Sequence, residues 1–359
     1  MRIVLAPDSF KGSIDASAAA EALAAGWRSV RPGDETVLRP MADGGEGTLA
    51  AVLRAHPAAV RHDVPGCTGP DGRPVTGQYA LLPDGTAYLE LAVASGLPLL
   101  GGHLAPLTAT TRGTGESVAA ALDRGARRLV LALGGSASTD GGTGLLAALG
   151  LRLLDDRGRR LPDGGGWLAG LVAVDRSALR PPPPGGVLLL TDVTAPLLGP
   201  AGAAAVYGPQ KGAGTQDVAR LEAGLAALAR VLGGDPERPG AGAAGGTGFG
   251  LAAAWGADSA SGAAAVADLL GLDGELARAD LVVTGEGRFD ATSLLGKAVG
   301  EVLARAARAG TRAAVVAGES ADPTVQTLAS LAGSGRAARA EPARWLASAG
   351  AELARRAGR

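Results

Sequence analysis

The sequence predicts an α/β protein: a largely parallel sheet domain built from both chain ends, with a second, mixed α/β domain inserted between them. Three observations lead there. Both ends alternate short apolar runs with helical stretches, the pattern of β–α–β units. Near residue 65 the style changes to turn clusters and a hairpin-like alternation. The chain of 359 residues is also longer than one ordinary core supports. The expected boundaries are 1–66 with 282–359 for the discontinuous domain and 67–281 for the insert.

Taken in order, residues 2–6 form the first strand, and Asp15 is placed to cap an alanine-rich helix that runs to about Val30. Residues 35–39 read as a second strand and 46–55 as a helix. The turn at Pro83, Asp84 and Gly85 joins two β-like runs, 75–82 and 86–92. A helix over 114–124, a strand over 127–133 and a helix over 142–149 follow. Prolines at 181–184 stiffen the approach to a strand at 187–190. Residues 215–232 are apolar at helical spacing, whereas the glycine- and proline-rich stretch 233–246 is expected to be a mobile loop. Strands at 281–284 and 313–317, each with a helix after it, return the chain to alternation.

Bulk composition narrows the function. Hydrophobic residues make up 47% and charged residues 19%, a globular balance. A net charge of −1 with mixed signs argues against a nucleic-acid partner. The longest charge-free stretches are broken by proline and glycine, so no bilayer span is expected. The single Cys67 excludes an internal disulfide and a multi-cysteine metal site, and the apolar run at the N-terminus stops at Pro7 and Asp8; both suit a cytoplasmic protein. Oligomeric state is not legible. Of 34 basic residues only Lys11, Lys211 and Lys297 are lysine, asparagine is absent, and each lysine adjoins a glycine. Compact ammonium groups kept in an arginine-rich chain point to function.

Five apolar runs lead directly to acids: Asp8; Asp43 and Glu46; Asp140; Asp192; Glu286 and Asp290. Ligands of open α/β sheets bind beyond the carboxyl ends of strands, so parallel neighbours would bring these acids to one cleft. Converging carboxylates repel, and a divalent cation is the economical compensation; with phosphates present, Mg²⁺ fits, with Asp43 and Asp192 as its candidate ligands. His56, His62 and His103 lack the spacing of a zinc site. The segment "GGSASTDGGTG", residues 134–144, leaves a strand and enters a helix. Small residues there let backbone N–H groups approach an anion, and the helix start adds partial positive charge. A triphosphate is the natural guest for Gly134, Gly135, Ser136, Ser138 and Asp140, with Lys211, Glu286 and Lys297 completing the nucleotide set. A Walker A loop fails at Gly296 and Lys297, where Ala291 and Ala298 occupy the positions that need glycine and Ser/Thr. No dinucleotide fingerprint falls on a β–α–β unit, which ranks an NAD-dependent oxidoreductase of a small hydroxy acid below a kinase. A non-catalytic nucleotide-binding module also ranks below. Phe10, Phe249 and Phe289 lie in these same loops and read as pins that hold each loop to its own domain.

Six segments together resemble the glycerate kinase type-1 family: "APDSFKGS" (6–13), "PMADGGEGT" (40–48), "GGSASTDGGTG" (134–144), "TDVTAPLLGPAGAAAVYGPQKGA" (191–213), "GGTGFGL" (245–251) and "TGEGRFD" (284–290) with the Gly-Lys pair at 296–297. The resemblance implies a Rossmann- or flavodoxin-like domain with an α/β insertion. It also implies Mg²⁺-assisted transfer of the ATP γ-phosphoryl group to a hydroxyl of D-glycerate, giving 2-phosphoglycerate in many members, with 3-phosphoglycerate as the alternative. This chain departs from the family at Thr139 and Ala195, where asparagine is usual, at Thr292, where glutamine is, and in the tail after residue 318. Phosphoryl transfer needs a placed hydroxyl and neutralised phosphates. Asp8 or Asp192 is expected to accept the hydroxyl proton, and Lys11 to meet the γ-phosphate or the glycerate carboxylate. Arg288 is expected to clamp a carboxylate, with Ser9, Asp43, Glu46 and Asp290 completing the substrate set. A small anionic substrate suits a cleft that closes between domains.

Overall fold

The computed structural model describes every residue except Lys11, Leu295, Gly358 and Arg359. The expectation for Lys11 therefore falls outside the described residues. Among them the strands, in chain order, are β1 (Arg2–Leu5), β2 (Glu35–Leu38), β3 (Val60–Thr68), β4 (Pro74–Leu81), β5 (Thr86–Glu90), β6 (Arg128–Ala132), β7 (Arg152–Leu154), β8 (Ala173–Asp175), β9 (Val187–Leu190), β10 (Asp258–Ala260), β11 (Leu281–Phe289), β12 (Arg312–Ser320) and β13 (Gln326–Thr327).

The chain packs as two compact units, residues 1–43 with 261–359 and residues 44–260. The sequence boundaries of 66/67 and 281/282 fall within or against strands. Residue 66 lies inside β3, which belongs to the inserted sheet, and residue 281 begins β11 of the other sheet. The crossing at 43/44 divides the "PMADGGEGT" segment, placing Asp43 in the first unit and Glu46 in the second.

The first unit holds a sheet of order β13-β12-β11-β1-β2, parallel at every pairing. Ile3, Leu5, Leu281 and Val283 on one face pack with Leu23 and Trp27 of the helix Ala16–Val30 and with Leu346 and Ala349 of the helix Pro342–Arg356. Val4 and Val282, on the opposite face, are equally buried, as a parallel sheet covered on both sides requires. The first of those helices begins as expected, with Asp15 accepting the Ala18 N–H at 2.8 Å. From β1 the chain winds outward to β2, then returns to β11 on the other side of β1 and winds outward again. This reversal makes the β1/β11 edge a topological switch point, where the following loops diverge and leave a crevice.

The second unit holds the order β10-β9-β6-β5-β4-β3. Four strands are parallel, while β4 pairs antiparallel with both β5 and β3. The expected hairpin is β4–β5, with Tyr79 opposite Leu89. The edge strand β3 was not anticipated, because Pro65 and Gly66 interrupt its pattern; its register shifts between Val64 and Cys67, the irregularity such residues produce at an edge. The stretch 233–246, expected to be a mobile loop, ends buried: Ala241 and Ala243 lie in the core, and the helix Ala243–Trp255 starts inside it. Glycine here serves close packing rather than motion. Strand β11 runs past the expected residue 284 to Phe289, because β12 pairs with it along its length.

Candidate active site

The five strand-then-acid runs are divided between the two sheets. The β1, β2 and β11 runs belong to the first, and the β6 and β9 runs to the second.

In the first unit, β1 and β11 are locked at their carboxyl ends. Thr284 Oγ1 donates to the Ala6 carbonyl at 2.8 Å, and the Asp8 N–H donates to the Gly285 carbonyl at 2.8 Å. Gly285 is required here, since a Cβ would collide with the Val316 carbonyl of β12. The Met41 N–H donates to the Pro7 carbonyl at 2.8 Å, which draws the segment after β2 alongside the one after β1. At this switch point lies a cavity of about 460 Å³. Asp8, Ser9, Asp43, Glu286, Arg288, Asp290 and Lys297 all line it, so every described site residue expected in this unit is in one place. Glu286 and Lys297, assigned from sequence to the nucleotide, share this wall with the substrate set.

Asp8 is buried, and its Oδ1 accepts the Ser9 N–H at 2.7 Å, which fixes the carboxylate against its own loop. Asp290 is held in a tight turn: Thr292 donates to Oδ1 from its N–H at 2.9 Å and from its hydroxyl at 2.6 Å. Those bonds, with the nearby charges of Arg288 and Lys297, hold the Asp290 carboxyl below its ordinary range. Arg288 Nε lies 3.6 Å from Asp290 Oδ2 and is exposed, while Lys297 Nζ donates to Thr292 Oγ1 at 3.4 Å. Thr292, where the family usually has glutamine, is thus the hinge of this charged turn. Sequence reading missed Ser13, Glu319 and Arg339, which also line the cavity. Arg339 NH1 pairs with Glu319 at 2.9 Å. Glu319 follows the run at 313–317 and obeyed the same strand-then-acid rule; Arg339 carried no signal, since its helix, Gly335–Ala340, reaches the cavity only through tertiary packing.

In the second unit, the glycine-rich loop follows β6. The Gly134 N–H donates to the Gly44 carbonyl at 3.0 Å, and a Cβ on Gly134 would lie 2.6 Å from Gly45 Cα. The backbone next to Glu46 therefore rests directly on the glycine-rich loop. Glu46 itself is exposed. Beside it, at the end of β5, Glu90 is buried and accepts the Leu49 N–H at the start of the helix Thr48–Ala55. Burial pushes the Glu90 carboxyl up to about 7, the charge of Glu46 adds to this, and the Leu49 and Gly47 N–H groups oppose it. Glu90 was legible only as a lone acid in an apolar run.

Asp140 has no exposed surface. Its Oδ2 accepts the Thr111 N–H at 2.9 Å, the Thr111 hydroxyl at 2.8 Å and the Gly144 N–H at 3.2 Å; its Oδ1 accepts the Ser138 hydroxyl at 3.1 Å and the Gly142 N–H at 3.2 Å. Ser138 is equally buried. Lys211, at the end of a turn that follows the helix Ala203–Tyr207, is also buried, and its ammonium donates to Ser136 Oγ at 2.8 Å and to the Ser138 carbonyl. Surface on this part of the loop is confined to Gly134, Gly135 and an edge of Ser136. Asp192 follows β9, two residues past its end. Phe10, Phe249 and Phe289 are all buried, each in a core of its own unit, but Phe249 lies within the helix Ala243–Trp255 and Phe289 ends β11, so of the three only Phe10 pins a loop.

No group of three or more His, Cys, Asp or Glu side chains among the described residues is placed to hold a metal ion. Among the described residues no helix is long and apolar enough to cross a membrane.

The profile of the glycerate kinase family matches residues 3–355. The chain belongs to the glycerate kinase family. It is 44% identical over 305 residues to the glycerate kinase of Bacillus subtilis strain 168, covering 83% of this chain and 79% of that one. It is 42% identical over 305 residues to the glycerate 2-kinase of Escherichia coli K12, covering 83% and 80%. A crystal structure of a protein from Salmonella typhimurium LT2, provisionally named glycerate kinase 2, superposes with a TM-score of 0.81 at 36% identity, covering 100% of this chain and 98% of that one. The activity is accordingly that of a glycerate kinase, a phosphotransferase, with glycerate as the implied acceptor and ATP as the implied donor.

Proposed function

We propose that this glycerate kinase phosphorylates the 2-hydroxyl of D-glycerate, giving 2-phosphoglycerate. The observation that carries the acceptor site is the cavity at the β1/β11 switch point, which gathers a fixed carboxylate, Asp8, with Arg288 and Lys297. In this reading Arg288 engages the glycerate carboxylate with its two-pronged guanidinium, and Ser9 and Asp290 border the acid. Asp8 accepts the hydroxyl proton, favoured over Asp192 because it sits among the cations that would hold the acceptor. Lys297 and Glu286 face the transferred phosphoryl group from the same wall. The exposed part of the glycine-rich loop meets nucleotide phosphates through the backbone N–H groups of Gly135 and Ser136, the Gly134 N–H being taken by the Gly44 carbonyl, and Glu46 borders it.

Mg²⁺ takes oxygen ligands and is commonly held by one or two carboxylates together with substrate phosphates, so the lack of a three-acid cluster suits it. Asp43, on the cavity wall beside Asp8, is the carboxylate of the first unit that would hold it, and Asp192 is the candidate in the second. When bound, the ion neutralises phosphate charge. A cytoplasmic location fits the lone buried Cys67.

The 2-position rests on the likeness to the Escherichia coli protein named glycerate 2-kinase. Proton-coupled phosphorus NMR of the product from D-glycerate and Mg·ATP tests it. A doublet, from the single proton on C2, is expected. A triplet, from the two protons on C3, would replace this reading by the 3-kinase.

A further inference from the structure

The buried lysine poses a physical question. An ammonium fully removed from water is costly, and an apolar side chain in its place would stabilise the fold at least as well. Lys211 has Asp140 as its charged neighbour, and the two are joined through Ser138, whose carbonyl accepts from the lysine and whose hydroxyl donates to the aspartate. What the ammonium does that no apolar group can do is donate without accepting. Because Lys211 donates to Ser136 Oγ, that hydroxyl must accept from below, and its own proton is turned away from the lysine. Ser136 still has an exposed edge, at 8%, whereas Ala137 is 1% exposed and Ser138 not at all. Its backbone is held by the neighbouring strand-like segment: the Leu97 N–H donates to the Gly135 carbonyl at 2.9 Å and the Ala137 N–H to the Ser95 carbonyl at 3.0 Å.

We infer that Lys211 is a positioning residue that fixes the Ser136 hydroxyl as an outward-facing donor to a phosphate oxygen of the nucleotide. The lysine itself touches no ligand. The inference rests on the reading that the exposed edge of this loop meets the nucleotide.

The test compares KM for Mg·ATP in Ser136→Ala, Lys211→Met and the double variant. Losing one hydrogen bond to a charged group should raise KM roughly tenfold in each single variant, with kcat changing less. The double variant should be no worse than either single one, because both remove the same bond. An additive double, or a Lys211→Met KM like the parent's beside a raised Ser136→Ala value, would overturn the inference while leaving the nucleotide reading intact. An unchanged KM in Ser136→Ala would overturn the inference and leave standing the reading that backbone N–H groups of the loop meet the nucleotide. If Lys211→Met does not fold, the pH profiles of the parent and of Ser136→Ala carry the test. Burial holds the Lys211 ammonium down to about 8, and Asp140 is the charged group that opposes this. Above that pH the neutral amine can accept the Ser136 proton and turn the hydroxyl inward. KM for Mg·ATP should therefore rise as pH passes 8 in the parent and stay flat in Ser136→Ala; parallel profiles would sink the inference.

Discussion

The two sheets carry the same sequence signature, an apolar strand followed by glycine and an acid, yet they treat Asp290 and Asp140 in opposite ways. Around the first sheet, Asp290, Glu319 and Arg288 keep water contact, sit in exposed ion pairs and line an open cavity. Around the second, Asp140 and Lys211 are sealed inside and every polar bond they make is to the protein. Charges of the first kind can exchange their partners for a ligand at little cost to the fold. Charges of the second kind build the glycine-rich loop itself. Glycine near an acid is therefore not one signal but two.

Four substitutions sharpen or break this contrast. The largest effect belongs to Asp140→Ala. It strands the Thr111, Gly142 and Gly144 N–H groups and leaves Lys211 without its counter-charge, so a loss of roughly 3–5 kcal/mol in chemical denaturation is expected. Asp290→Ala, in the same experiment, should stay within about 0.5 kcal/mol of the parent. Equal losses would erase the distinction between the two regions.

Arg288→Ala comes next and should leave stability nearly untouched. Removing a charged donor from the proposed acceptor site should raise KM for D-glycerate roughly tenfold to a hundredfold, with KM for Mg·ATP much less affected. A change confined to ATP would move the nucleotide into the first unit's cavity.

The smallest effect concerns Glu90, the buried acid of the second unit. Its folded-state pKa, about 7, lies above its ordinary value of 4.5, so between those pH values the folded protein binds more protons than the unfolded chain. Stability thus falls as pH rises through that window. Glu90→Gln keeps an acceptor for the Leu49 N–H without the charge, and at pH 8 it should stabilise the protein by on the order of 1 kcal/mol. The gain should disappear below pH 4.5, which thermal melts at two pH values would show. A gain that persists in acid would mean the residue's cost is steric.

Much of the site in the first unit was legible from the chain alone. Asp8, Ser9, Asp43, Glu286, Arg288, Asp290 and Lys297 were singled out by position after strands or by the family-like segments, and they share one cavity. A strand fixes where its last residue points, so an acid one or two residues later has little freedom. The residues that were not legible, Arg339 and Thr111, reach their places from elements distant in sequence. Local pattern carries no information about such meetings.

By itself the sequence determined the α/β class, the insertion of one sheet within the other and the family, because hydrophobic period, turn residues and long motifs are properties of neighbours along the chain. Only the tertiary structure decided which charges stay wet and which are sealed in. It divided Asp43 from Glu46, buried Lys211, which had been expected to bind the nucleotide, against Ser136 and Ser138, and drew a helix near the C-terminus to the cavity. Burial is a property of everything packed around a residue, and that surrounding is assembled from the whole chain.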